Sequence, residues 1–280
     1  MMNKKNKTIT VHTVVKNEEQ WIWYALISIL DFADKILVFD TGSTDKTKEI
    51  IKTIKSPKII FEEKGEVSPS GLTKLRQEQL DMTKSNWVFI VDGDEVWPKE
   101  ALLEMRQLVN NASSNIYGIV SPAWNMIGDI YHFHPESEDY HWPYAPKKIK
   151  GWMNLRMMKR NIPGFHIKGE YPLEAYCDKK ETPIQNYGLK KLLFAKKRYF
   201  HMTYLPRSSN AVPTLKRGPK RIPEMGRRLA KGVSLPEVFY LKRPSIVSSC
   251  WIKQSLKDKI KAGFFTPFKR IKRKIFKYKN

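Results

Sequence analysis

At 280 residues, 41% hydrophobic and 12% aromatic, the chain is long enough to bury one large core and carry an appendage. No apolar run approaches the ~20 residues that cross a bilayer, the basic start MMNKKNKTITVHTVV lacks a small-residue cleavage site, and Cys177 and Cys250 stand in neither metal nor disulfide spacing; the expected setting is the reducing cytoplasm. The formal net charge of +23 is unevenly divided: residues 1–139 hold 16 Lys and Arg against 21 Asp and Glu, residues 140–280 hold 35 against 7, so the second half should face something anionic.

Residues 8–15, TITVHTVV, are β-branched and apolar and read as a buried strand. In KNEEQ, Asn17 is expected to cap a helix, with Gln20 three positions on completing a capping-box-like pair. WIWYALISILDF is then apolar at helical spacing. KILVFD (35–40) is a second strand, and TGSTDKT (41–47) is a turn opening a helix that runs to about residue 54. KIIFEE (58–63) is a third strand, GEVSPSG a polar loop, residues 72–84 a helix carrying Arg76, and WVFIVD (87–92) a fourth strand. This alternation predicts an α/β fold, a mostly parallel sheet wrapped by helices, with ligands bound beyond the carboxyl ends of the strands. Asp40 and Asp92 both close apolar strands at that edge.

VFIVDGDEVWP (88–98) ends an apolar run in three acids, Asp92, Asp94 and Glu95. Burying carboxylates is costly unless something pairs with them. Two carboxylates around a Gly turn offer hard oxygen ligands to Mg²⁺ or Mn²⁺, with substrate phosphates completing the coordination. A solvated Asp-Gly turn is the alternative, and an EF-hand is excluded by the spacing.

Taken together, TVVKNEEQWIWYALISILDFADKILVFDTGSTDKTKEII followed by WVFIVDGDE resembles the family 2 glycosyltransferases of the GT-A fold over roughly residues 9–100. The order carries the resemblance: KNEE after strand one, DTGSTD after strand two, DxD after strand four. It implies a Rossmann-like sheet and a metal-dependent transfer from a nucleotide-sugar donor, UDP-linked by expectation. It further implies that Val15 and Glu18 contact the nucleotide base, that Asp40 hydrogen-bonds it, and that Arg76 approaches the nucleotide. Asp92 would meet ribose or metal, and Asp94 would ligate Mn²⁺ or Mg²⁺. For Glu18 and Arg76, ordinary helix-surface charge is the alternative.

An inverting transferase also needs a carboxylate to take the acceptor's proton. Family members place it in an aromatic-x-Gly-acid segment after a basic stretch resembling NLRMMKR, which points to HIKGEYPLEAY (166–176). Glu174 is the first choice, one residue out of register, and Glu170 the second; a surface salt bridge is the alternative. In RYFHMTYLPRSS (198–209), the resemblance makes His201 a further metal ligand and Arg207 a diphosphate contact. His132, His134 and His141 match no closed zinc site and read as an acceptor or lid loop. Trp124, Trp142 and Trp152 are either sugar-stacking faces or plain core.

The expected division is a GT-A catalytic domain over 1–210, its nucleotide-sugar half about 1–125 and its acceptor half about 126–210. A basic C-terminal extension over 211–280 would then serve as a membrane-surface or lid segment. Residues 210–243, with KRGPKR and MGRRLAKG, are basic and punctuated by Pro and Gly. Residues 252–280 hold nine Lys, two Arg and one Asp among Phe and Ile, a basic amphipathic pattern suited to anionic lipid. The partners this implies are a nucleotide-sugar, a glycan or lipid-linked acceptor of the cell envelope, and the inner membrane face, where the chain would be peripheral. Two other readings are weaker: nucleic-acid binding lacks any recognised motif, and a nucleotidyltransferase would open with a Gly-rich loop where this chain has KNEEQ.

Overall fold

The computed structural model describes residues 6–140, 142, 145, 150–209 and 224–275; His141, the KRGPKR stretch and Phe276 lie outside them. The sheet expected from the strand and helix alternation is present. Strands β1 (Ile9–Val15), β2 (Lys35–Asp40), β3 (Ile59–Glu63) and β4 (Trp87–Ile90) run parallel in the order β3-β2-β1-β4. Their register is set by pairs such as Val15 with Asp40 and Ile9 with Trp87. Strands β1, β2 and β4 are almost wholly buried, which is why they read as continuous apolar runs rather than alternations.

Helices α1 (Ile22–Ile29), α2 (Thr47–Thr53) and α3 (Pro69–Asp81) make the crossovers. Two start points differ from expectation. Helix α3 begins at Pro69, because Ser68 caps it by accepting from Gly71 N–H at 3.1 Å and Pro supplies a helical φ in the first turn. Helix α1 begins at Ile22 with no side-chain cap; Asn17 sits outside it in a left-handed conformation, φ 55°, which Asn tolerates better than most residues.

After the turn at β5 (Glu95–Val96) and helix α4 (Lys99–Asn111), the sheet continues with antiparallel neighbours. Strand β6 (Gly118–Ile127) leads to β7 (His132–Phe133), the short helix α5 (Glu136–Asp139) and β8 (Met153–Lys159). Strand β8 lies antiparallel between β4 and β6. A separate hairpin, β9 (His166–Lys168) and β10 (Ala175–Cys177), packs against α3. Strands β11 (Leu192–Phe194) and β12 (Tyr199–Tyr204) add parallel to β6, and β12 also pairs antiparallel with β5. The histidine-rich segment is therefore partly strand and partly helix rather than an open loop.

The core is aromatic at its centre. Trp97 meets Phe89 edge-on at 4.8 Å and stacks on Tyr199 at 4.4 Å. Trp124 packs on Phe133, Trp142 on Phe194 and Trp152 on Tyr140. Further described elements are two 3-10 helices (Ile184–Lys190 and Glu237–Tyr240), β13 (Arg227–Arg228), paired with β7, and helix α6 (Leu256–Ile275). Between them, Val238, Phe239, Val247 and Cys250 enter the main core, although they belong to the stretch expected to be an extension. No helix among the described residues is long and apolar enough to cross a membrane.

Candidate active site

Three loops at the carboxyl ends of β1, β2 and β4 meet on one rim, as parallel strands require. At the first, the left-handed turn of Asn17 lets its backbone N–H donate to Ser43 Oγ (2.9 Å) while its side-chain oxygen accepts from Thr44 N–H (2.8 Å). The next residue is thereby fixed: Glu18 N–H donates to Thr47 Oγ1 at 2.8 Å, and its carboxylate is buried. At the second, Asp40 Oδ1 accepts from Gly42 N–H (3.0 Å) and Ser43 N–H (2.9 Å), an Asx turn. Asp40 Oδ2 is buried with no hydrogen-bond partner among the described residues. Asp40 lies beneath the rim, and its neighbour Thr41 reaches the surface of the cleft.

The third loop is the DGD turn. A Cβ added to Gly93 would sit 3.1 Å from both Glu18 Cγ and Val15 Cγ2, so glycine between the acids lets the first and third loops close on each other. Asp92, Gly93 and Asp94 line a cleft of about 760 Å³ together with Val15, Glu18, Arg76, His201 and Arg207. The pairing of Glu95 with His201 in β5 and β12 brings the late histidine to the acids, and Met202 N–H donates to Asp94 C=O at 2.9 Å.

Three guanidinium groups neutralise this acidic rim. Arg207 reaches Glu18 Oε1 at 2.7 Å and Asp94 Oδ2 at 3.2 Å. Arg156 donates to Asp92 Oδ2 at 3.1 Å, contacts Glu95, and donates through Nε to the Tyr199 hydroxyl at 3.2 Å. Arg76 lies 4.0 Å from Asp92 Oδ1 and 3.4 Å from Glu174 Oε1. Burial favours neutral Asp92, but Arg156 and then Arg76 outweigh it and hold the carboxyl below its ordinary range. Burial, then the charge of Asp94, pushes Glu18 up to about 8 against the pull of Arg207. For Glu95, fully buried, desolvation exceeds the attraction of Arg156 and the pKa rises. Burial opposes a charged His201, yet Asp94 beside it raises its pKa above the usual histidine value.

Asp94 Oδ2 and His201 Nε2 lie 3.5 Å apart, a hard oxygen beside an imidazole nitrogen, and His201 Nδ1 is oriented by Asn125 Oδ1 at 3.1 Å. That donor set suits Mn²⁺ or Mg²⁺. No group of three or more His, Cys, Asp or Glu side chains gathers for a metal among the described residues, so the pair fits a cation that takes its other ligands from phosphate and water. Asp92 has Oδ2 committed to Arg156. Glu174 immediately precedes β10 on the far side of Arg76, while Glu170 is exposed on the hairpin turn. None of Trp124, Trp142 and Trp152 lines the cleft.

Arg156 and Tyr171, the latter also on the cleft wall, escape the sequence reading. The available signal for Arg156 was a cation flanked by Leu155 and Met157 in the middle of MNLRMMK, since a buried arginine demands carboxylate partners.

A model of glycosyl transferase family 2 matches residues 10–167, more than half of the chain. The SPbeta prophage-derived glycosyltransferase SunS of Bacillus subtilis is 33% identical over 93 residues, covering 33% of this chain and 21% of its own. An uncharacterised glycosyltransferase of Rickettsia typhi is 28% identical over 111 residues, covering 40% of this chain and 36% of its own. The chain thus spans between about a fifth and about a third of the length of these curated relatives. Among solved structures, S. aureus TarS 1–349 in complex with UDP is 18% identical with a TM-score of 0.46, over 69% of this chain and 60% of that one.

Proposed function

The chain belongs to glycosyl transferase family 2, and from that premise we propose that it transfers a sugar, with inversion, from a UDP-linked donor to a glycan or lipid-linked acceptor of the cell envelope. The observation that carries this reading is the convergence of Asp92, Asp94, His201, Arg76 and Arg207 on one cleft at the carboxyl rim of the parallel strands. A volume of about 760 Å³ lies in the range of small-molecule sites. Val15, Glu18 and the Asp40 turn form its base-binding side, and Arg207 and Arg76 face the diphosphate with planar forks suited to phosphate oxygens.

Asp94 and His201 would hold Mn²⁺ or Mg²⁺, which when bound supplies positive charge against the departing diphosphate. The acceptor hydroxyl attacks the anomeric carbon as the bond from that carbon to the diphosphate oxygen breaks, and its proton passes to Glu174, with Glu170 as the second choice. Arg76 lies between Glu174 and Asp92, on the cleft side, a proximity that supports Glu174 as the base.

Calorimetry with UDP, GDP and CDP, each with and without Mn²⁺, tests the reading. Metal-dependent binding of UDP is expected, weakened at least tenfold in Asp94→Ala with the fold intact by circular dichroism. Binding of no nucleotide under any condition would overturn it.

A further inference from the structure

Helix α6 has two faces of different character. Ser255 caps it, accepting from Asp258 N–H at 3.1 Å and donating to the Asp258 carboxylate at 2.6 Å. Ala262, Thr266, Lys269 and Arg273, three and four apart, turn toward the body. Ala262 and Thr266 are buried, and Thr266 Oγ1 accepts from Met225 N–H at 2.8 Å. Arg273 forks onto the buried carboxylate of Glu224, one arm at 2.9 Å, and Lys269 lies 3.7 Å from it.

At 3.6 residues per turn, Leu256, Ile260, Phe264, Phe268 and Ile271 fall on the opposite face. All five are exposed, Phe264 at 65% and Ile271 at 55%. Exposed Lys257, Lys261 and Lys272 run along one edge of this apolar strip, and exposed Lys259 and Arg270 along the other. A line of large apolar side chains about 22 Å long, rimmed by cations, is the composition of a surface that sinks below lipid headgroups while its lysines reach the phosphates.

We propose that this face of α6 is a docking surface for an anionic lipid bilayer, the helix lying along the membrane while its other face grips the body through Glu224. Charge complementarity selects this occupant, because a second copy of the chain would set two lysine-lined strips against each other. Docking is independent of the transfer reaction, since none of these residues touches the cleft.

Cosedimentation of the full chain with vesicles tests it. The protein should pellet with vesicles containing phosphatidylglycerol, release at high salt, and stay in solution with phosphatidylcholine alone. A Phe264→Asp, Phe268→Asp double variant should bind at least tenfold more weakly, as should Lys257→Glu with Lys261→Glu and Lys272→Glu, both with unchanged melting temperature because every altered side chain is exposed. Absence of wild-type binding, or equal binding by the double variant, would overturn the proposal. So would a wild-type dimer that the double variant converts to monomer, which would assign the face to self-association.

Discussion

Arg156 is 7% exposed, between Asp92 and Glu95, with Tyr199 and Asn154 completing the group around it. Two acids side by side, Glu95 fully buried and Asp92 half-buried, are tolerable only while a guanidinium lies against both. Truncation to Ala would leave them uncompensated, and guanidinium denaturation should register a loss of about 3–5 kcal/mol. Arg156→Lys, which keeps the charge and loses the fork, should fall between Ala and wild type. A loss below about 1 kcal/mol for Ala would mean that the acids find another counter-ion. Of the residues on the rim, Asp92 and Asp94 were legible in the sequence because the DGD turn ends the apolar run VFIV abruptly. Their partner was not: Arg156 is 64 positions from Asp92, and nothing local to NLRMMKR says which strand will lie beside it.

At the scale of elements, α6 is held by one buried acid. Burial by itself would raise the pKa of Glu224, but Arg273 and His134 outweigh it and bring it to about 2, from an ordinary 4.5. A depressed folded pKa stabilises the folded state above the unfolded value, and that contribution is lost as pH falls from about 4.5 toward 2. The groups facing the carboxylate are Arg273, Lys269 and His134, with Glu136 beyond the histidine. Thermal melts between pH 5 and 3 should therefore fall more steeply for wild type than for Glu224→Gln, the difference reaching about 2 kcal/mol over that window; parallel curves would remove Glu224 from the account. The amphipathic character of this segment was legible from its spacing, whereas the docked face was not, because Glu224 is distant from Arg273 in the chain. The start of α3 shows the converse, a local signal overlooked: Ser68 before Pro69 is a cap followed by a first-turn proline, and both residues are in plain view.

For the molecule as a whole, the segment after the described β13 closes the core rather than trailing from it. Phe239 lies edge-on to Tyr24 at 5.6 Å, the Tyr24 hydroxyl donates to Ser248 C=O at 2.9 Å, and Gln20 Nε2 donates to Ser249 C=O at 2.8 Å. Helix α1, which leads away from the cleft, is thereby pinned from its outer side. Phe239→Ala should cost about 3–5 kcal/mol and shift a single denaturation transition. An early, separate transition would show instead that this segment unfolds apart from the sheet.

The periodicities of the first hundred residues determined the alternation of strands and helices, and with it the rim on which Asp92 and Asp94 stand, because both depend on which residues follow one another along the chain. The tertiary structure alone decided that β8 enters beside β4 to place Arg156 on Asp92, that β12 returns against β5 to set His201 by Asp94, and that α6 turns its apolar face outward. Those outcomes depend on which surfaces meet across distant segments, and local periodicity carries no record of that.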